Sequence, residues 1–166
     1  MEIRREDHFA DMHQPGRLQD RLAAMHASFA RRMPGLDRIG IALYDEPLRQ
    51  VRTFLASPAE ESPLSNYHIP LQDAESLAQT GIDRQVRIVN DLDLFSAGKG
   101  EHTRKIYELG MRSSYTQPIY AQQQLRGFVF INSRQRGFFR EEILDQVSLF
   151  AHLLVQMVLS LSLIHI

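Results

Sequence analysis

Seven histidines are the first residues to weigh for chemistry, since a neutral imidazole is the side chain that most often holds a metal or haem iron. His8, His13, His68, His102 and His152 are the candidates. Two ligands on one helix face must stand three or four residues apart, as in His-Glu-x-x-His, and no pair among the seven does. Taken singly, each is an ordinary exposed or hydrogen-bonded histidine. Asn90-Asp91-Leu92-Asp93 sets two carboxylates where a strand gives way to a loop. They suit a hard cation or a hydrogen-bonding ligand; equally, Asn90 or Asp91 caps the next turn with its short side chain. Gly98-Lys99-Gly100 lacks the Ser/Thr and the upstream glycine of a phosphate-binding loop. With no Ser/His/Asp order around a strained turn and no carboxylate pair set for acid–base work, no catalytic residue is nominated. The segment Arg112–Ala121 is more informative. By period-two alternation Ser113, Tyr115, Gln117 and Ile119 share one face, and Ser114, Thr116, Pro118 and Tyr120 the other. A tyrosine hydroxyl and an amide on a half-buried strand need partners, supplied by a small molecule, by water or by neighbouring backbone.

The elements that must position these groups follow from periodicity. Residues 1–16 are polar and close on Pro15-Gly16, a leader expected to be flexible. Leu18, Leu22, Met25, Phe29 and Met33 form one apolar stripe of a helix that Pro34-Gly35 ends. Ile39, Ile41 and Leu43 alternate with Gly40, Ala42 and Tyr44, and Asp45-Glu46-Pro47-Leu48 turns the chain into Val51–Ala56, a hairpin. Pro58, Pro63 and Pro70 keep residues 57–72 extended, with room for a short strand at Tyr67-His68-Ile69. Asp73 caps a helix over Ala74–Thr80 that Gly81 ends, Arg87–Asn90 reads as a strand, and Glu101–Leu109 as a helix closed by Gly110. Arg112–Ala121 and Leu125–Asn132 are strands joined by Gln122-Gln123-Gln124, and the second is apolar on both faces, as a strand covered on both sides is. In the last helix Ile143, Val147, Phe150, Leu154, Met157 and Leu161 alternate steps of four and three, the period of a helix packing on another helix. This order predicts an α+β domain over residues 17–160. An antiparallel sheet of five to six strands carries the terminal helices on one face and short helices and loops over a pocket on the other. Residues 161–166 read as the end of the last helix, cut short.

Composition sets the outer bounds. The 166 residues, 43% apolar and 23% charged, make one ordinary globular domain. Against 19 basic side chains stand 20 acidic ones, a net charge of -1, which gives no electrostatic reason to expect nucleic acid or an anionic membrane as partner. The absence of cysteine excludes disulfides, thiolate zinc or iron–sulfur sites, a cysteine nucleophile and a thioether-linked chromophore, and suits the cytosol. The N-terminal residues have no apolar core of a secretory signal. Residues 146–166 carry no Lys, Arg, Asp or Glu and are long enough to span a bilayer, but Gln146, Ser148, His152, Gln156, Ser160 and Ser162 interrupt them, so no membrane partner is expected.

Arg112–Tyr120 and Leu125–Ser133, followed by Phe138-Phe139-Arg140-Glu141-Glu142, resemble the closing elements of a GAF domain: a serine, alternating apolar residues, a short polar turn, glycine and an apolar strand, then Phe and an acidic pair opening the last helix. The wording is similar to GAF domains that precede HD-GYP phosphodiesterase domains in bacterial cyclic-di-GMP signalling, although no HD or GYP motif is present. The resemblance implies a GAF/PAS-like, non-catalytic sensory domain that binds a small molecule between its sheet and residues 64–110, and passes the signal through its terminal helices to a C-terminal output domain. Ser113, Tyr115, Gln117, Asn90, Asp91, Tyr67 and His102 are then the candidate ligand contacts; most GAF domains look aliphatic at the positions of Tyr115 and Gln117. Leu18, Leu22, Met25, Phe29, Ile143, Val147, Phe150, Leu154, Met157 and Leu161 are the candidate homodimer and signalling stripes, the alternative being that both belong wholly to the domain's own core. A haem would fall on His68 or His102, neither of them favoured. The branch that links a bilin covalently needs the cysteine this chain lacks. Asn132, Phe138 or Phe139, and Glu141-Glu142 match part of the cyclic-nucleotide signature, but Ser133 replaces its lysine, removing the lysine-to-acid bridge.

Overall fold

In the computed structural model, which describes residues 1–59, 68–70, 75–95 and 101–160, the alternation of Ile39, Ile41 and Leu43 becomes strand β1 (Arg38–Asp45), which turns back as β2 (Gln50–Ser57). Asp45 Oδ1 accepts the Leu48 amide at 3.2 Å, and Arg49 closes the loop at a φ of 51°. Two short strands follow in sequence, β3 (His68–Pro70) and β4 (Arg87–Val89). The second hairpin, β5 (Ser113–Ala121) and β6 (Gln124–Ser133), closes on Gln122 and Gln123 at φ 54° and 65°. Two left-handed residues give this turn the twist that the flanking strands require. The six strands are antiparallel throughout, in the order β3-β2-β1-β6-β5-β4. That is the α+β architecture expected from the element order.

Among the described residues four α-helices cover the sheet. α1 (Leu18–Arg32) and α4 (Glu141–Leu159) lie on one face, where Leu22, Ile39, Ile41, Ile119, Val129, Ile131, Phe150 and Leu154 form the main core. Phe29 and Phe150 stack there with ring centroids 3.8 Å apart. On the other face α2 (Glu75–Asp83) sets Leu77 against Ala42, Val51, Phe128 and Phe130. α3 (Glu101–Glu108) and a 3-10 turn at Leu92–Phe95 close Leu92, Ile106 and Met111 over Val89. Strand β6 is therefore buried from both sides, and each of its large apolar residues removes surface worth about 1.5–3 kcal/mol.

Three expectations are corrected. The helix stripes are not an open seam: Leu22, Val147, Phe150, Leu154 and Met157 are buried against the domain's own sheet, with Leu18, Met25, Phe29 and Ile143 packed at the margin. Leu161 lies outside the described residues. A heptad step fits a helix lying on a sheet as well as a helix on a helix over so few turns. The leader is not loose along its length. Its 3-10 turn Ala10–Met12 buries Met12, Asp11 pairs with Arg31 and accepts the Ser28 hydroxyl at 2.8 Å, and Arg32 sits 4.0 Å over the Phe9 ring. Lastly, Gly81 does not end α2, which runs on to Asp83 and stops at Arg84 with φ 53°. A Cβ at Gly81 would come within 2.9 Å of the Leu125 side chain, and its carbonyl accepts the Tyr120 hydroxyl. The glycine is there to let helix and sheet approach. α4 is long and apolar enough by composition to cross a membrane, yet its stripe is spent on the sheet.

Candidate functional site

Register decides which side of β5 can meet a ligand. Residues directly opposite on paired strands share a face; Tyr115 lies opposite Ile131 and Gln117 opposite Val129, both in the core under α1 and α4. Ser113, Tyr115 and Gln117 therefore point away from the layer of α2 and α3, and cannot line a pocket held there. The Tyr115 hydroxyl donates to Gln117 Oε1 at 3.4 Å and is hydrogen-bonded to Ser148 of α4, and Gln117 Nε2 donates to the Pro118 carbonyl at 3.4 Å. Burial raises the Tyr115 pKa, with the Ser148 bond pulling the other way. Ser113 Oγ donates to the Gln135 carbonyl at 2.7 Å. These polar groups are satisfied by the protein itself.

The acidic turn is likewise structural. Asn90 exchanges two hydrogen bonds with the Phe139 backbone, donating at 3.1 Å and accepting at 3.0 Å. Asp91 Oδ1 accepts the Asp93 amide at 3.0 Å, the cap of the 3-10 turn, and lies 3.8 Å from Arg136. Asp93 pairs with Arg136 at 2.6 Å and Arg112 at 3.6 Å, and the hydrogen bond from Arg136, more than any other contact, holds its carboxyl below the usual range. Together they clip the entry to α4 onto β4. Among the described residues no three His, Asp or Glu side chains gather as metal ligands. Tyr67 lies outside the described residues, and His68 on β3 and His102 on α3 are placed by backbone only, so no haem position is defined.

The opposite face of the sheet carries a different set. Arg38, at the head of β1, is 1% exposed; its Nη1 donates to Asn132 Oδ1 at 2.8 Å, and Asn132 Nδ2 donates to Ser114 Oγ at 2.9 Å. The three residues lie abreast on β1, β6 and β5. The guanidinium lies across Gly40, where a Cβ would come within 2.8 Å of it. Arg87 on β4 stands opposite Thr116 on the same face, and desolvation lowers its pKa. Arg134 leaves the end of β6 with its amide on Asp37 Oδ2 at 2.7 Å and its guanidinium beside Gly110. Between Arg38 and Arg134 is a cavity of about 130 Å³ whose walls, among the described residues, also include Pro58, Leu109 and Met111. The sequence signal for this site was present: Arg38, Gly40 and Ala42 are the small or charged set that alternates with Ile39, Ile41 and Leu43. What hid it is that Arg38 and Asn132 are 94 residues apart.

No family model and no curated protein sequence matches the chain. Solved structures do. The GAF domain region of a putative membrane protein from Geobacter sulfurreducens superposes with TM-score 0.64 at 20% identity, covering 87% of this chain and 94% of that one. The GAF domain of a two-component sensor histidine kinase from Bacillus halodurans gives 0.62 at 15% identity over 80% of this chain and 87% of that one. The fold is that of GAF domains. The same architecture is shared by free methionine-R-sulfoxide reductase from Neisseria meningitidis, solved with its substrate (TM-score 0.59, 17% identity, 82% and 75% coverage). The GAF fold thus serves signalling proteins and at least one enzyme, so what this GAF-fold domain does has to be argued from its own side chains.

Proposed function

We propose that this chain is a non-catalytic sensory domain, which binds a small molecule on the sheet face beneath α2 and α3 and relays its arrival through α1 and α4. The observation that carries this reading is the buried row Arg38–Asn132–Ser114 at the wall of a cavity, on a face otherwise filled by Phe128, Phe130, Leu92 and Ile106. Fixed polar groups at the edge of an apolar cavity are what orients and selects a ligand. The relay has a short path. Ser114 and Thr116 face the ligand layer while Tyr115, between them on β5, reaches Ser148 of α4, so a shift of this strand is felt by the helix.

The domain works as a homodimer through the outer face of α4, where Gln146, Leu149, Leu153, Gln156 and Ser160 repeat at steps of three and four and Leu149 and Leu153 are 70% and 50% exposed. A trough of about 630 Å³ between the leader and α1/α4, with Met12, Met25, Leu153 and Met157 in its wall, continues that surface. The output domain is the HD-GYP phosphodiesterase suggested by the wording of residues 112–142, which places the protein in bacterial cytoplasmic cyclic-di-GMP signalling. Thermal melting against a metabolite panel tests the sensory reading: at least one compound is expected to raise the melting temperature saturably. A dimer that no compound stabilises would instead mark a scaffold whose inner face is filled by its own side chains.

A further inference from the structure

We infer that the turn at residues 90–93 and the connection at residues 133–140 form a latch, which makes the layer of α3 and the start of α4 open and close together. Its use as a signal path rests on the sensory reading; the coupling itself is a property of the unliganded chain. An asparagine amide presents a donor beside an acceptor, the complement of one residue's C=O and N–H, and Asn90 uses both on Phe139 at 3.1 and 3.0 Å. Gly137, at a φ of 68°, turns its amide onto the Asn90 carbonyl at 2.8 Å. On the far side of the turn the buried Leu92 packs with Ile106 of α3 and with Met111, and its amide donates to the Arg112 carbonyl at 2.8 Å. The Arg112 amide in turn donates to the Ser133 carbonyl at 2.8 Å, so the turn reaches the connection by two contiguous routes. Asp91 Oδ1 on the Asp93 amide stiffens the turn between them, and Leu92 cannot lift without carrying Asn90.

The other end of the latch is the entry to α4. Arg140 precedes the helix without a side-chain cap, so the direction of the first turn is set by what holds Phe139. The Phe139 side chain is buried, its ring 5.9 Å from that of Tyr115. Arg136 also ties the connection to Asp91 and Asp93, but all three side chains are well exposed, and exposed ion pairs contribute little. The partly buried Asn90 bonds outweigh them, because removing Asn90 takes a partner from both backbone groups of a buried residue.

Hydrogen exchange read by mass spectrometry on the intact chain tests the coupling. Ile106→Ala loosens the α3 layer from within. It is expected to speed exchange at residues 145–148, the first amides bonded inside α4, by at least about fivefold, the lower end of ordinary coupling between sites. In an Asn90→Ala background the same substitution should still loosen α3 and add nothing further at residues 145–148. Residues 150–159 should keep the parent's rates, and Arg136→Gln should leave the coupling in place. Ile106→Val makes the same comparison more gently if the alanine variant does not fold. The latch is overturned if Ile106→Ala speeds α3 alone, if the Asn90→Ala background transmits the effect undiminished, or if all of α4 speeds uniformly. A metabolite panel that raises no melting temperature would strike the sensory reading and leave this result standing.

Discussion

Leu153 and Leu154 are neighbours on α4, and replacing each in turn with alanine removes the same atoms from the same helix. Leu154 is 0% exposed in the core under the sheet, whereas Leu153 is 50% exposed on the outer face. Deleting a fully buried leucine side chain costs about 2–5 kcal/mol, the lost transfer energy plus the cavity left behind. In a domain this size about 1 kcal/mol moves the melting temperature by about 2–4 °C, so Leu154→Ala should melt about 4–20 °C lower. Leu153→Ala forfeits no more than about half of the 1.5–3 kcal/mol that full burial is worth and leaves no internal cavity, a change of about 6 °C or less for the monomer. Paired thermal melts read by circular dichroism at one low protein concentration decide the matter. Equal destabilisation by both substitutions, or a Leu154→Ala domain that melts like the parent, would refute the placement of the stripe in the domain's own core.

Other outcomes follow from the same geometry. Leu149→Glu with Leu153→Glu should give a folded monomer in sedimentation velocity, since both positions are exposed; persistence of a dimer would place the seam elsewhere. Asn132→Leu takes one acceptor from a buried guanidinium and should cost about 2–3 kcal/mol in urea unfolding, against about 1 kcal/mol for Ser114→Ala, which loses a neutral bond only. Equal costs would mean that Arg38 does not depend on Asn132. Burial raises the pKa of Tyr115 above its ordinary 10.0, as it does for Tyr44 and Tyr120. A raised folded-state value stabilises fully below that pH and is lost as the pH climbs through the shifted one. Tyr115→Phe should therefore lose less of its melting temperature than the parent on going from about pH 9 to pH 11; identical slopes would contradict it.

Periodicity made the architecture legible. The alternation of Ile39, Ile41 and Leu43, the two-sided apolarity of β6 and the stripe from Ile143 to Met157 each specify an element and the number of its covered faces. It did not specify what covers them. On β5 both alternate sets mix polar with apolar residues, Ser113-Tyr115-Gln117-Ile119 against Ser114-Thr116-Pro118-Tyr120, so nothing local says which set turns toward the cavity. That choice is made by pairing with Val129 and Ile131, whose own side is fixed by α1 and α4. The site was hidden for the same reason: Arg38 becomes more than a surface charge only when Asn132 arrives beside it. Gly81 shows the converse error, a residue whose local meaning is a helix stop and whose actual use is clearance for Leu125.

The strand order has a kinetic consequence. β1 sits at the middle of the sheet with β6 as one neighbour, and Arg38 through Leu43 pair with Asn132 back to Gly127. During synthesis the first hairpin is complete long before its inner edge has a partner, and Ile39 and Ile41 wait for a strand most of a domain away. Closing so long a loop is slow, and an uncovered central strand is a template for the wrong chain. Nascent chains stalled ahead of β6 should therefore engage chaperones or aggregate, and be rescued by release of the remaining strand and α4.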